Sequence, residues 1–150
     1  MTQCMGQTRP GLVRLREAAT RDPKLRFTNL LHHIDIERLE EAYRALNRNA
    51  KAGVDGEDWS SYGVDLRPKL EDLCRRLHTN RYRTRPVLRC WIPNANGQQR
   101  PIGITSIEDK IVQQAVVWIL EAIYENDFLG FSYGFRPGRS QHHALDAVYM

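Results

Sequence analysis

One long amphipathic segment limits what this chain can fold into more than any other feature of its sequence. Its apolar residues recur at every fourth position: Ile107, Ile111, Ala115, Ile119 and Ile123. That spacing is typical of a helix that buries one face, and other elements must cover such a face. Thr105 is followed three residues later by Glu108, which predicts a capping box at the helix start. We therefore expect a domain arranged around one helix that ends near Asn126.

The segments before this helix predict further helices and one β-hairpin. Asp35 can cap a helix whose apolar face includes Leu39 and Tyr43, and leucines at 66, 70, 73 and 77 predict another helix over 65–78. Residues 87–92 alternate as a strand does, and 98–104 can return as a second strand after the turn residues 93–97. The sequence therefore predicts an α+β fold that is mainly helical, with a β-hairpin near 87–104.

A long stretch without acidic residues leads into the central helix. No Asp or Glu occurs between Asp72 and Glu108. The stretch contains these arginines: Arg75, Arg76, Arg81, Arg83, Arg85, Arg89 and Arg100. Tyr82 and Trp91 lie among them, and arginines interleaved with aromatic rings favour a sugar-phosphate partner over a merely solvated face. The net charge of +4 and the pI near 9.1 are also typical of a chain with an anionic partner.

A second arginine pair follows the central helix. Arg136 and Arg139 flank Pro137-Gly138 in a predicted turn, just before a helix start at Ser140. Guanidinium groups beside exposed backbone N–H groups suit phosphate. Two alternatives to phosphate binding remain open for this pair. It can be a surface turn with solvated arginines, or the arginines can pack as structural ion-pair partners.

Several blocks of this sequence occur in an order that is found in one known family. The blocks are Ala52-Gly53-Val54-Asp55-Gly56, Arg100-Pro101-Ile102-Gly103-Ile104, Glu108-Asp109-Lys110-Ile111-Val112-Gln113, Leu120-Glu121-Ala122-Ile123-Tyr124-Glu125 and Ser132-Tyr133-Gly134-Phe135-Arg136-Pro137-Gly138-Arg139-Ser140. Together they resemble bacterial group II intron reverse transcriptases, also called maturases, over about 27–150. The resemblance implies the fingers and the start of the palm of a right-hand polymerase fold, within an RNA-directed DNA polymerase.

The resemblance also implies roles for particular residues. The predicted hairpin is similar to the fingers hairpin, where Arg100 matches the arginine over the triphosphate of the incoming deoxynucleotide. Asn94 stands where the family usually has Lys, and Gln98 stands where it often has Lys or Arg. Because amides carry no charge, the implied deoxynucleotide contact is weakened. The other arginines of the acid-free stretch, with Arg136 and Arg139, would contact group II intron RNA and the template-primer.

Catalysis in this family implies Mg²⁺, which carboxylates of the palm hold. Those carboxylates follow the block around Arg136, and no residue of this chain matches them, so we predict no catalytic and no metal-binding residue here. The apolar end over 144–150 lacks a helix stop signal. We therefore expect a chain that is truncated before the catalytic palm strands and is inactive as a polymerase by itself, although the family is enzymatic.

Two other functional hypotheses remain. The chain can be a stand-alone basic module that binds RNA and assists splicing, or a degenerate remnant that does not fold stably. Residues 1–26 are predicted to be a frayed or disordered extension that precedes the domain over 27–150; the alternative is a short basic helix over 11–19 that touches RNA.

The remaining features restrict the class of protein. Cys4, Cys74 and Cys90 show no paired spacing, and we expect neither a disulfide framework nor a metal site. No apolar run of about 18 residues occurs, so we expect no membrane span. The N-terminus has no signal pattern, which leads us to expect a cytoplasmic protein.

Overall fold

The computed structural model describes residues 9–94 and 96–149. Within them it contains six α-helices: α1 Pro10–Arg21, α2 Ile36–Ala45, α3 Trp59–Gly63, α4 Leu66–His78, α5 Ile107–Tyr124 and α6 Gln141–Tyr149. A short 3-10 helix, Leu31–His33, precedes α2. Strands β1 Leu88–Pro93 and β2 Gln99–Ile104 form an antiparallel hairpin. The fold is α+β and mainly helical, which confirms that part of the prediction.

Helix α5 lies at the centre of the core. Helices α1 and α2 pack against α5, and α4 packs against α2. The predicted stripe of α5 is buried: Ile107, Ile111, Ala115, Ile119 and Ile123. Leu39 of α2 and Leu70 of α4 are also completely buried. Burying one such side chain contributes about 1.5–3 kcal/mol relative to leaving it exposed, so this apolar cluster is the main source of stability.

The start of α5 lies one residue later than predicted. The N-cap is Ser106, whose Oγ accepts a hydrogen bond from the Asp109 backbone N–H at 3.3 Å and donates one to Asp109 Oδ2 at 2.8 Å. The predicted box of Thr105 with Glu108 is therefore wrong. Thr105 directly follows β2 and lies outside the helix, so the next hydroxyl residue caps α5 instead.

Helix α1 lies in the segment that we predict to be frayed. Its side chains Leu12, Leu15 and Ala19 are buried in the core beside α5. The Arg9 guanidinium contacts Asp35 at 3.0 Å and Glu41 at 3.0 Å, which ties α1 to α2. The prediction of a frayed extension is wrong for residues 10–21, because their apolar side chains form one helix face. Residues 1–8, which include Cys4, lie outside the described part of the chain.

Helix α3 has no counterpart in the prediction. Asp58 caps it by accepting from the Ser61 N–H at 2.8 Å, while Ser61 Oγ accepts from the Asp58 N–H at 3.0 Å. The Trp59 ring stacks on Tyr43 with centroids 4.7 Å apart, and Tyr62 is buried. A five-residue helix is too short to show helical periodicity, which explains why the pattern did not reveal it.

The hairpin register determines which side chains share a face. Cys90 pairs with Ile102 and Ile92 pairs with Arg100, so these four side chains lie on one face. Arg89 and Trp91 lie on the other face. Trp91 is 54% exposed and Ile92 is 47% exposed. The predicted hairpin is confirmed, and both of its faces reach solvent near the turn.

Two further findings, on membrane-spanning helices and on thiols, concern only the described residues. Over 9–94 and 96–149, no helix is long and apolar enough to cross a membrane. Cys74 and Cys90 are free thiols that are partly buried.

Gly53 lies against the start of α5. A Cβ at this position would lie 2.8 Å from Ser106 Cα, Ser106 N and Thr105 O. Backbone atoms at a buried helix start cannot move away cheaply, so only glycine allows this approach. The loop before α3 is therefore held against the N-terminus of α5.

Gly53→Ala is expected to lower the free energy of unfolding by about 1–3 kcal/mol, which is the usual cost of overpacking. Chemical denaturation followed by circular dichroism measures the change. Gly130→Ala is the matched control, because a Cβ there would meet no atom within 4 Å. Equal stability of the two variants would contradict the close approach.

Candidate nucleic-acid interface

The arginine-rich segment is attached to α5 through a buried carboxylate, Asp109. Besides its bonds with Ser106, Asp109 accepts a hydrogen bond from the Tyr82 hydroxyl and one from the Arg85 backbone N–H at 3.3 Å. Asp109 is 3% exposed. Burial and the bond to Asp109 together raise the pKa of Tyr82, so the phenol stays protonated and keeps donating. The segment between α4 and β1 has no regular secondary structure, and these bonds fix its position.

Arg76 belongs to the framework of the fold. Its guanidinium bonds Glu108 of α5 at 2.7 Å and Asp72 of its own helix at 2.7 Å. The neighbouring Arg75 is exposed and pairs with Asp72. Arg75 and Arg76 therefore both have carboxylate partners. Arg76 in particular joins α4 to α5 and is not available to a phosphate.

Arg85 is also paired within the fold. Its guanidinium lies 3.6 Å from Asp55 Oδ2, and the Asp55 side chain is only 3% exposed. The pair connects the loop around Gly53 to the arginine-rich segment. Asp55, which belongs to a sequence block that resembles the family, thus serves as a charge partner for Arg85.

Four exposed arginines of the acid-free stretch have no carboxylate partner among the described residues. Arg83 donates to the carbonyl oxygens of Asn80 at 3.2 Å and Tyr82 at 2.9 Å, and it is exposed. Among the described residues, the exposed side chains of Arg81, Arg89 and Arg100 have no hydrogen-bond or ion-pair partner. Each keeps its charge uncompensated within this part of the structure, which makes these four the candidate phosphate contacts.

The hairpin separates the candidates. Arg89 lies beside exposed Trp91 on one face, whereas Arg100 lies on the opposite face. Asn94 and Gln98 stand at the turn, where the Asn94 N–H donates to the Gln98 carbonyl at 2.7 Å. Both are exposed. The three residues that the resemblance assigns to the nucleotide therefore lie in the outer half of the hairpin, with one positive charge among them.

The two arginines after α5, Arg136 and Arg139, differ in burial and in their contacts. The Arg136 side chain is 8% exposed, contacts Glu125 at 2.7 Å and donates to the carbonyls of Leu129 at 3.0 Å and Ser132 at 2.9 Å. Its guanidinium also lies over Phe128. Arg136 thus holds the turn together from inside, which is the structural alternative considered above. Arg139 is exposed, and its guanidinium lies 5.6 Å from the Tyr133 ring centroid.

Two lysines, Lys51 and Lys110, meet beside the hairpin, and no sequence pattern predicts this contact. Lys51, in the loop before α3, lies with its Nζ 3.6 Å from Cys90 Sγ on the hairpin. Lys110, in the first turns of α5, donates to the Lys51 carbonyl at 2.8 Å. Sequence reasoning missed both, because residues 51, 90 and 110 meet only through tertiary packing.

The described residues do not fit the Mg²⁺ that the family implies. Over 9–94 and 96–149, no three His, Cys, Asp or Glu side chains are grouped to hold a metal ion. The two buried aspartates of this region, Asp55 and Asp109, already face Arg85, Tyr82 and Ser106. No step that needs a metal is therefore assigned to them.

Comparison with known proteins identifies the family of this chain. The chain is related to group II intron-encoded proteins and intron maturases, the class that its sequence blocks resemble, so the predicted family is confirmed. No protein-family model matches the chain.

Individual relatives match different shares of the chain. Protein LtrA of Lactococcus lactis subsp. cremoris, a group II intron-encoded protein, is 38% identical over 108 residues, which are 71% of this chain and 18% of LtrA. Protein YkfC of Escherichia coli K12 is 40% identical over 136 residues, 88% of this chain and 36% of YkfC. A 91 kDa protein in the cob intron of Schizosaccharomyces pombe is 40% identical over 111 residues, 72% of this chain and 13% of that protein. The chain therefore spans a minor part of each relative.

Arg136→Ala is expected to loosen the turn around it. The change leaves Glu125 and two carbonyls without their donor, and losing a hydrogen bond to a charged group costs about 1.5–3 kcal/mol. The amide hydrogens of Ser132 and Arg139, which bond within this turn, should then exchange about 10–100-fold faster.

Hydrogen exchange followed by mass spectrometry measures this effect. Arg139→Ala is the matched control, with an expected change of about threefold or less because the side chain is on the surface. The assignment of Arg136 to the framework fails if both variants change exchange equally.

Proposed function

We propose that these 150 residues bind RNA as the N-terminal, fingers-like part of a group II intron reverse transcriptase or maturase. One observation carries the proposal: the arginines of the acid-free stretch divide into a paired set and an unpaired set. Arg76 and Arg85 are paired with Glu108 and Asp55. Arg81, Arg89 and Arg100 lack any such partner among the described residues. An unpaired guanidinium on the surface is suited to a phosphate group, because it can bond two phosphate oxygens at once.

The exposed ring of Trp91 supports the proposal that the bound RNA is single-stranded. Its ring is 54% exposed on the same hairpin face as Arg89. A base that stacks on such a ring contributes about 1–3 kcal/mol without reading sequence. A phosphate on Arg89 beside a base on Trp91 would engage both chemical parts of one nucleotide.

The names of the relatives suggest which RNA is bound. LtrA is named as a group II intron-encoded protein, and one relative in Arabidopsis thaliana is named a nuclear intron maturase. We infer group II intron RNA as the partner of this chain, with a template-primer duplex as the partner during polymerisation. A deoxynucleotide triphosphate is the weaker candidate, since Asn94 and Gln98 offer neutral amides beside Arg100.

Substitution of the unpaired arginines tests RNA binding. For single-stranded RNA, Arg81→Gln, Arg89→Gln and Arg100→Gln should each reduce the slope of log affinity against log salt by about 0.7, because each removes one phosphate contact. Fluorescence anisotropy at several salt concentrations measures the slope.

Arg26→Gln is the matched control for the loss of charge. Arg26 is exposed and lines a groove with Leu120 and Tyr124, near the far end of α5 from the hairpin. Its slope should equal that of the wild-type chain. A wild-type chain that binds RNA without salt dependence, or variants that all behave like Arg26→Gln, would refute the proposed interface.

We further propose that the 150-residue chain does not extend a primer by itself. Two-metal nucleotidyl transfer needs carboxylates that hold both cations. Asp55 and Asp109 are already engaged within the fold. Incubation with a primer-template, deoxynucleotides and Mg²⁺ should therefore give no extended product. Extension that Arg100→Ala abolishes would overturn this part of the proposal.

A further inference from the structure

Lys51 and Lys110 form a cationic pair where the hairpin, the loop before α3 and the start of α5 meet. The Lys110 ammonium donates to the backbone carbonyl of Lys51 at 2.8 Å. The Lys51 ammonium lies 3.6 Å from Cys90 Sγ. The backbone contact keeps the two residues adjacent.

No carboxylate compensates this pair within the described residues. Asp109, which precedes Lys110 in sequence, bonds Tyr82, Ser106 and the Arg85 backbone. Asp55 faces Arg85. The ammonium groups instead contact a carbonyl oxygen and a thiol, and a thiol sulfur is only a weak acceptor. Neither ammonium therefore has a carboxylate to offset its charge, and a nearby anion would supply that compensation.

Lys51 adjoins the hairpin face that contains Arg100. Cys90, which Lys51 contacts, shares this face with Ile92 and its cross-strand partner Arg100. Residues two apart on one strand are about 7 Å apart, so Cys90 and Ile92 are near neighbours on this face. Lys51 and Arg100 thus lie on one face of the hairpin, and Lys110 joins them through its bond to the Lys51 carbonyl at the start of α5.

We propose that Lys51 and Lys110 form a phosphate site for the RNA backbone, which extends the Arg100 face of the hairpin to the start of α5. The inference rests on the proposed RNA-binding function and adds two residues to it. Lysine ammonium groups on flexible stems bind phosphate as point charges. The site would therefore hold the RNA backbone without selecting its sequence.

The salt dependence of RNA binding tests the site. Lys51→Gln and Lys110→Gln should each reduce the slope of log affinity against log salt by about 0.7 for a short single-stranded RNA. Lys51→Arg and Lys110→Arg keep the charge and should keep the slope, which separates loss of a phosphate contact from damage to the fold.

Lys24→Gln is the matched control. Lys24 is exposed, and its neighbours Pro23 and Leu25 line a groove with Tyr124 at the C-terminal end of α5. That end lies about 21 Å along the helix from Lys110. Glutamine variants at 51 and 110 that match Lys24→Gln, while Arg89→Gln still lowers the slope, would refute this site and leave the proposed function standing.

Chemical footprinting gives a second readout that needs no variant. Bound RNA should protect Lys51 and Lys110 from acetylation and leave Lys24 equally reactive. Titration with a deoxynucleoside triphosphate separates the two sources of phosphate. Glutamine variants that weaken triphosphate binding and leave the RNA slope unchanged would overturn the assignment to RNA.

Discussion

The carboxylates in the first turn of α5 control how the rest of this structure is arranged. Asp109 accepts from Tyr82 and from the Arg85 backbone, and Glu108 accepts from Arg76 at 2.7 Å. Each bond to a charged group is worth about 1.5–3 kcal/mol, and a buried carboxylate without its donors would cost more than that. An irregular basic segment that would otherwise be mobile is thereby held against the core. The hairpin that follows it is positioned as a consequence.

In this arrangement some arginines hold the fold together, whereas others lie on the surface without a carboxylate partner among the described residues. Arg76, Arg85 and Arg136 face carboxylates and hold elements of the fold together. Arg89 and Arg100 extend from the two hairpin faces with no such partner among the described residues. Counting arginines in the sequence overstates the positive charge that the surface offers to an anionic partner, because a carboxylate within the fold already compensates part of it.

Local patterns predicted much of the fold and only part of the candidate site. The stripe of α5 and the hairpin over 87–104 follow from periodicity and turn residues, which depend on neighbours in sequence. The predicted cap, Thr105, lies one residue before the observed cap, Ser106, because both side chains offer the same hydroxyl chemistry. The pairing of Arg85 with Asp55, and the meeting of Lys51 with Cys90, arise from contacts between distant segments. No spacing rule within one segment could have revealed them.

We propose that RNA lies on the hairpin and on the basic segment before it. Cross-linking of a single-stranded RNA that contains 4-thiouridine, followed by mass spectrometry of the peptides, tests this most directly. We expect adducts within residues 79–104, Trp91 among them, because that ring is exposed beside Arg89. Adducts that fall within residues 128–149 and spare the hairpin would contradict it.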